Sequence, residues 1–156
     1  MIFKESREQG TIASYLKKHH PTIEFETVER EGARNKVKQN MIKKNNSRSG
    51  WPDTRIYLSS GGYHSLMIEN KANGTELFQK RINRFTNRHY EEQYKCHQAL
   101  IQAGHAVYFG IGITNCLEII ELYISGNLKP FDNFDYISWD ASQEDAANEF
   151  LNKHGV

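Results

Sequence analysis

Cysteine is scarce: two in 156 residues, Cys96 and Cys116, each inside a segment that reads as a regular element. Two such thiols make neither a disulfide framework nor a zinc-ligand pattern, and they fit a reducing compartment. Long apolar runs are missing as well. No stretch approaches the roughly 18 apolar residues a membrane-spanning helix needs, so no membrane role is expected. The opening Met1-Ile2-Phe3-Lys4-Glu5 lacks the apolar core of a secretory signal, which predicts a cytoplasmic protein. Repeats, low-complexity linkers and Gly-rich nucleotide loops are also absent. What remains, 38% hydrophobic residues with 12% aromatics, suffices for one compact domain over 1–156.

The net charge of +1 hides a segregation of signs. Between Arg30 and Arg55 stand eight bases against two acids; from Ile111 to Val156 stand two bases against eight acids. A local basic field attracts a polyanion while an acidic remainder limits indiscriminate binding. The same charges could also be an ordinary solvated face. If chemistry lies beside the basic segment, then Arg34, Lys36, Lys38, Lys43, Lys44 and Arg48 are the candidate DNA contacts.

Periodicity predicts a helix over Glu8–Lys18, with Ile12, Tyr15 and Leu16 on one face and Pro21 beyond its end. Ile23–Val28 alternates loosely as a strand, and Ala33–Lys44 reads as a basic helix. Thr54–Ser59 and Ser65–Lys71 are strand-like runs around Ser60-Gly61-Gly62, a hairpin signal. Thr75–Asn87 has no clear period. A helix over Arg88–Ala103 ends at Gly104, a buried strand follows over His105–Ile111, and Thr114 is the expected cap of a helix through Ile124. The acidic tail closes with a short helix announced by Ser142-Gln143-Glu144-Asp145. This order indicates an α/β fold with a mixed sheet.

The chemistry concentrates in Gly50-Trp51-Pro52-Asp53 and, after the hairpin, Glu69-Asn70-Lys71. Alternation along a strand points Glu69 and Lys71 the same way and Asn70 oppositely. If the strands pair, Asp53 reaches the same end of the sheet as Glu69. Two carboxylates and a lysine there could hold a hard cation beside a phosphodiester, with the ammonium orienting water or offsetting charge. Alternatively, Glu69 and Lys71 are surface residues and Asp53 a turn residue. On the helix Arg88–Ala103, Gln93 shares a face with Leu100 and with Cys96 or His97, so its amide points inward and needs a partner.

These blocks, with Gly61-Gly62-Tyr63-His64-Ser65-Leu66-Met67-Ile68 leading into Glu69-Asn70-Lys71-Ala72, resemble the virus-type replication-repair nuclease (VRR-NUC) domain, a branch of the PD-(D/E)XK nuclease superfamily. The likeness continues in Gln93, Leu100 and Ala103-Gly104, and backward through Arg48, Lys43, Tyr15-Leu16 and Glu8-Gln9. It covers about residues 5–125 and leaves an acidic extension at about 127–156. The resemblance implies a PD-(D/E)XK core, a mixed central sheet flanked by helices. It implies that Asp53, Glu69 and the backbone carbonyl of Asn70 bind Mg2+ or Mn2+, that Lys71 acts at the attacking water, and that Gln93 helps hold the site. A further carboxylate from the first helix would complete it, with Glu8 preferred to Glu5 for its depth in the helix. Small stand-alone members, of phage or prokaryotic type, resemble Holliday-junction resolvases and act as homodimers on branched DNA. The expected activity is therefore a metal-dependent, structure-selective DNA endonuclease of recombination, repair or phage replication. A catalytically silent DNA-binding module and a sequence-specific restriction-type endonuclease are the alternatives. Two departures stand out: Asn70 replaces a typically apolar residue, and Thr75–Asn87 is longer than usual, either a DNA-contacting arm or a packing extension.

Overall fold

The computed structural model describes residues 2–28, 50–82 and 84–128, with side chains from Arg7 onward apart from Lys80. The basic segment with Arg34, Lys36, Lys38, Lys43, Lys44 and Arg48, the helix expected there, and the acidic tail from Lys129 lie outside the described residues.

Helix α1 (Ile2–His19) begins well before the expected Glu8, because its charged first turns carry no apolar period to announce it. Its last turn holds Lys17, Lys18 and His19, which complement the helix dipole. Strand β1 (Phe25–Thr27) then pairs antiparallel with β2 (Thr54–Ile56), and β2 with β3 (Leu66–Lys71). A small ribbon of β4 (Phe78–Gln79) and β5 (Arg84–Phe85) follows, joined by a 3-10 turn over Lys80–Ile82. Helix α2 (Arg88–Gln102) leads into β6 (Ala106–Ile111), which pairs parallel with β3, and α3 (Gly112–Ile124) closes the described core. The sheet order is β1-β2-β3-β6, so the mixed sheet flanked by helices is present and β3 is its fully buried interior strand.

The two sheet faces are covered by different helices. Ile56, Leu66, Ile68 and Tyr108 pack with Ile12 and Leu16 of α1 and Leu117 and Ile120 of α3. Most of these aliphatic side chains are fully buried, and each contributes about 1.5–3 kcal/mol relative to exposure. On the other face, Phe109 and Ile111 join Leu77 under Tyr90 and Tyr94 of α2. Gly110 lies between, and its missing side chain lets α3 approach: a Cβ there would stand 2.3 Å from Cys116 Sγ.

Helix ends follow local chemistry. Asn87 caps α2 by accepting the Tyr90 N–H at 2.9 Å. At the other end Gly104 adopts a φ of 97°, a left-handed conformation that suits glycine, and its N–H reaches the Ile101 carbonyl at 3.0 Å. The expected cap of α3 at Thr114 is corrected. The helix starts at Gly112, and the buried Asn115 accepts the Ile111 N–H at 2.9 Å from inside the first turn.

Candidate active site

Strand register builds the site first. β2 and β3 pair Ile56 with Leu66, Arg55 with Met67 and Thr54 with Ile68, so one further step sets Asp53 opposite Glu69. The Asn70 N–H donates to Asp53 Oδ2 at 3.3 Å, and the Asp53 carbonyl accepts the Val28 N–H at 2.7 Å. Asp53 is thereby held at the sheet end from both sides.

Glu69 and Lys71 share the face under α2. Lys71 Nζ donates to Glu69 Oε1 at 3.0 Å, with side chains only 7% and 5% exposed. The Gln93 amide, also buried, donates to the same oxygen. Taking a carboxylate and an ammonium out of water is costly, and the paired geometry with added hydrogen bonds offsets that cost. Tyr90, three residues before Gln93, holds its ring 5.1 Å from Lys71 Nζ. His97, four residues after, is fully buried with its ring centroid 4.5 Å from that of Phe109. Spacings of three and four put all three side chains on one stripe of α2.

Burial, reinforced by the Lys71 ammonium, pushes the His97 pKa down to about 3, so its imidazole is neutral near neutral pH. Neither His97 ring nitrogen has a hydrogen-bond partner among the described residues, nor does Gln93 Oε1.

The opposite face resolves the oddity of Asn70. Its amide nitrogen donates to Thr54 Oγ1 at 3.2 Å, and its oxygen accepts the Cys116 thiol at 3.8 Å. A buried polar side chain with partners on both ends leaves the core intact rather than weakening it. The Cys116 thiol is pushed well up by burial, then by the carboxylates of Glu8 and Asp53, so it stays protonated. Those same interactions bring Glu8 of α1, half-buried, into the electrostatic neighbourhood that Asp53 occupies.

Asp53, Glu69, the carbonyl of Asn70 and the Gln93 amide oxygen are hard oxygen donors of the type that Mg2+ and Mn2+ take. No group of three or more His, Cys, Asp or Glu side chains gathers as a metal cage among the described residues. No helix among the described residues is long and apolar enough to cross a membrane.

The structure thus brings Asp53, Glu69, Asn70, Lys71 and Gln93 to one end of the sheet. His64 packs over Gly104, where a Cβ would meet its ring at 2.6 Å, and its N–H donates to the Gly104 carbonyl at 3.0 Å, a structural role. His20 and the Tyr15 hydroxyl meet Glu121 Oε1 at 2.5 and 2.8 Å, which fastens α1 to α3. Sequence reasoning left His97 undecided against Cys96 and passed over Tyr90 as a wall of the lysine site. The usable signal was their spacing from Gln93.

No family model matches the sequence, and no curated protein matches it. Among solved structures the fold is similar to that of a VRR_NUC domain protein, with a TM-score of 0.58 at 19% sequence identity, over 82% of this chain and 97% of that one. At that identity the likeness shows the fold alone: a mixed α/β core similar to that of the VRR_NUC domain protein.

Proposed function

We propose that this chain is a metal-dependent DNA endonuclease that hydrolyses phosphodiester bonds, structure-selective in the manner of Holliday-junction resolvases and active as a homodimer. One observation carries the reading: a buried Glu69–Lys71 pair, with the Gln93 amide donating to Glu69 and Asp53 opposite Glu69 at the same sheet end. A purely structural ion pair would gain nothing from a second carboxylate placed beside it, since like charges repel in a low dielectric.

Asp53, Glu69 and the Asn70 carbonyl would hold Mg2+ or Mn2+, with Glu8 approaching from α1. The bound cation would polarise the scissile phosphate and lower the pKa of water. Lys71, held by Glu69 and walled by Tyr90, would orient the attacking water and offset charge developing on the phosphate. Gln93 fixes the Glu69 carboxylate in its rotamer. In-line attack would leave 5′-phosphate and 3′-hydroxyl ends. Arg34, Lys36, Lys38, Lys43, Lys44 and Arg48 supply the sequence's basic segment for DNA phosphates.

The test is cleavage of four-way junction, flap and linear duplex by wild type and Lys71→Ala, with Mg2+, Mn2+ or EDTA. Metal-dependent cutting, lost in the variant and strongest on the junction, is the expected result. Tight binding without cutting in either metal would sink the nuclease and leave a silent binding module.

A further inference from the structure

The segment between β3 and α2 is built to project. An isolated two-stranded ribbon is marginal in water, so β4 and β5 need an anchor. They have one: Phe78 and Phe85 meet edge to face at 5.4 Å, Phe85 packs on Tyr94 of α2 at 5.1 Å, and Leu77 is buried in the core under α2. The ribbon's aromatics are therefore spent on its root and are not available for stacking on bases.

The tip has the opposite character. Ile82 is 54% exposed, the most exposed of the four large hydrophobics exposed among the described residues. Arg81 and Arg84 are exposed on either side of it, and Arg88 opens α2 beside the root. From Lys80 to His89 the sequence holds four Lys or Arg and no acid. The placement is specific as well. A short connection leads from the Lys71 end of β3 to the ribbon, and Tyr90 both packs on the cluster that holds Leu77 and walls Lys71. The root of the ribbon therefore adjoins the end of the sheet that carries Lys71.

An exposed apolar side chain flanked by arginines suits one kind of ligand: nucleic acid whose base stack is already interrupted. Inserting an apolar wedge into an intact step costs unstacking energy, whereas a branch point, flap or frayed end has little left to unstack. The arginines meanwhile hold the phosphates of the flanking strands. We infer that the β4–β5 ribbon is a wedge, with Ile82 seated against an exposed base face at a DNA branch and Arg81 and Arg84 on the adjoining phosphates. This rests on the endonuclease reading and names what would make it structure-selective.

Binding in EDTA, where no cutting is expected, separates the two ideas. Fluorescence anisotropy would compare a four-way junction with linear duplex of equal length, for wild type, Ile82→Ser and Arg81→Gln/Arg84→Gln. A 2-aminopurine at the branch would report unstacking. Ile82→Ser should lower junction affinity about tenfold or more, as expected for losing one buried aliphatic contact, while linear binding stays unchanged. It should also abolish the 2-aminopurine rise. Arg81→Gln/Arg84→Gln should weaken both substrates and flatten the log K against log salt slope by about two. Wild-type binding with no change in Ile82→Ser, in affinity or fluorescence, overturns the wedge alone. Failure of wild type to bind any DNA overturns the endonuclease reading with it. Sedimentation showing that Ile82→Ser dissociates a dimer assigns the tip to a subunit contact and also overturns the wedge.

Discussion

Replacing Lys71 by Met tests whether the Glu69–Lys71 pair is as dry as its geometry says. Met matches the stem of lysine but removes the ammonium that neutralises Glu69, while the Gln93 amide still donates to the buried carboxylate. Breaking a buried pair by removing one partner costs about 3–5 kcal/mol, against about 0–1 for an exposed pair. Side chains 7% and 5% exposed place this pair in the first class, and the remaining Gln93 hydrogen bond pulls the value toward about 3 kcal/mol. That is a large share of the roughly 5–15 kcal/mol that holds a domain folded, and it corresponds to a fall in Tm on the order of 10 °C. Urea denaturation in EDTA reads it directly. The same loss should shrink in Mg2+, because removing the ammonium tightens cation binding beside Glu69, so that Mg2+ stabilises the variant more than the wild type. The double variant Glu69→Gln/Lys71→Met, with neither charge, should recover most of the stability. A Lys71→Met protein within about 1 kcal/mol of wild type would refute the burial argument. A double variant less stable than the single one would assign the cost to side-chain packing rather than to charge.

Two further outcomes follow from the same core. His97 stays neutral in the folded protein down to about pH 3, whereas the unfolded chain protonates it below about 6.5. The unfolded state thus binds more protons in that window, and stability should fall by up to about 1.4 kcal/mol per pH unit as pH drops through it. His97→Phe removes this component, so in urea melts it should gain about 2 kcal/mol on wild type between pH 7 and 5; parallel profiles would contradict it. Gly110→Ala places a Cβ 2.3 Å from Cys116 Sγ and 2.8 Å from Ile68 Cγ2, and thermal melts should show a loss of about 1–3 kcal/mol. Adding Cys116→Ala should return part of it, and no recovery would point to a backbone cause.

Much of this arrangement is legible in the sequence, for identifiable reasons. Strand alternation alone sets Glu69 and Lys71 on one face, and a hairpin signal at Gly61-Gly62 sets the pairing that carries Asp53 toward Glu69. Helical spacing turns Gln93 inward. Long-range partners are not legible in this way. Asn70 looks like a misplaced polar residue until Thr54 and Cys116 are seen to satisfy it from two other elements. Cys96 and His97 are equivalent by spacing from Gln93, and only the docking of α2 on the sheet, which sets His97 against Phe109, buries the second fully and leaves the first half-buried. The start of α3 was misjudged because Asn115 supplies its hydrogen bond from within the helix, where a preceding Thr, Ser or Asp is the usual signal. The ribbon escaped because two-residue strands are too short to show a period.

The interior position of β3 also bears on when the site comes into being. Its antiparallel neighbour β2 is a hairpin away and can pair early, at low entropic cost. Its parallel neighbour is not: Leu66 and Ala106 are 40 residues apart (106 − 66), with the ribbon and α2 between them. Contacts of that separation demand closure of a long loop before they repay it, and they form slowly. During synthesis, Asp53 and Glu69 therefore emerge and pair long before Gln93 is locked over them by the docking of β6. The site proposed for cleavage therefore depends on the long-range β3–β6 pairing and cannot be completed by the β2–β3 hairpin alone.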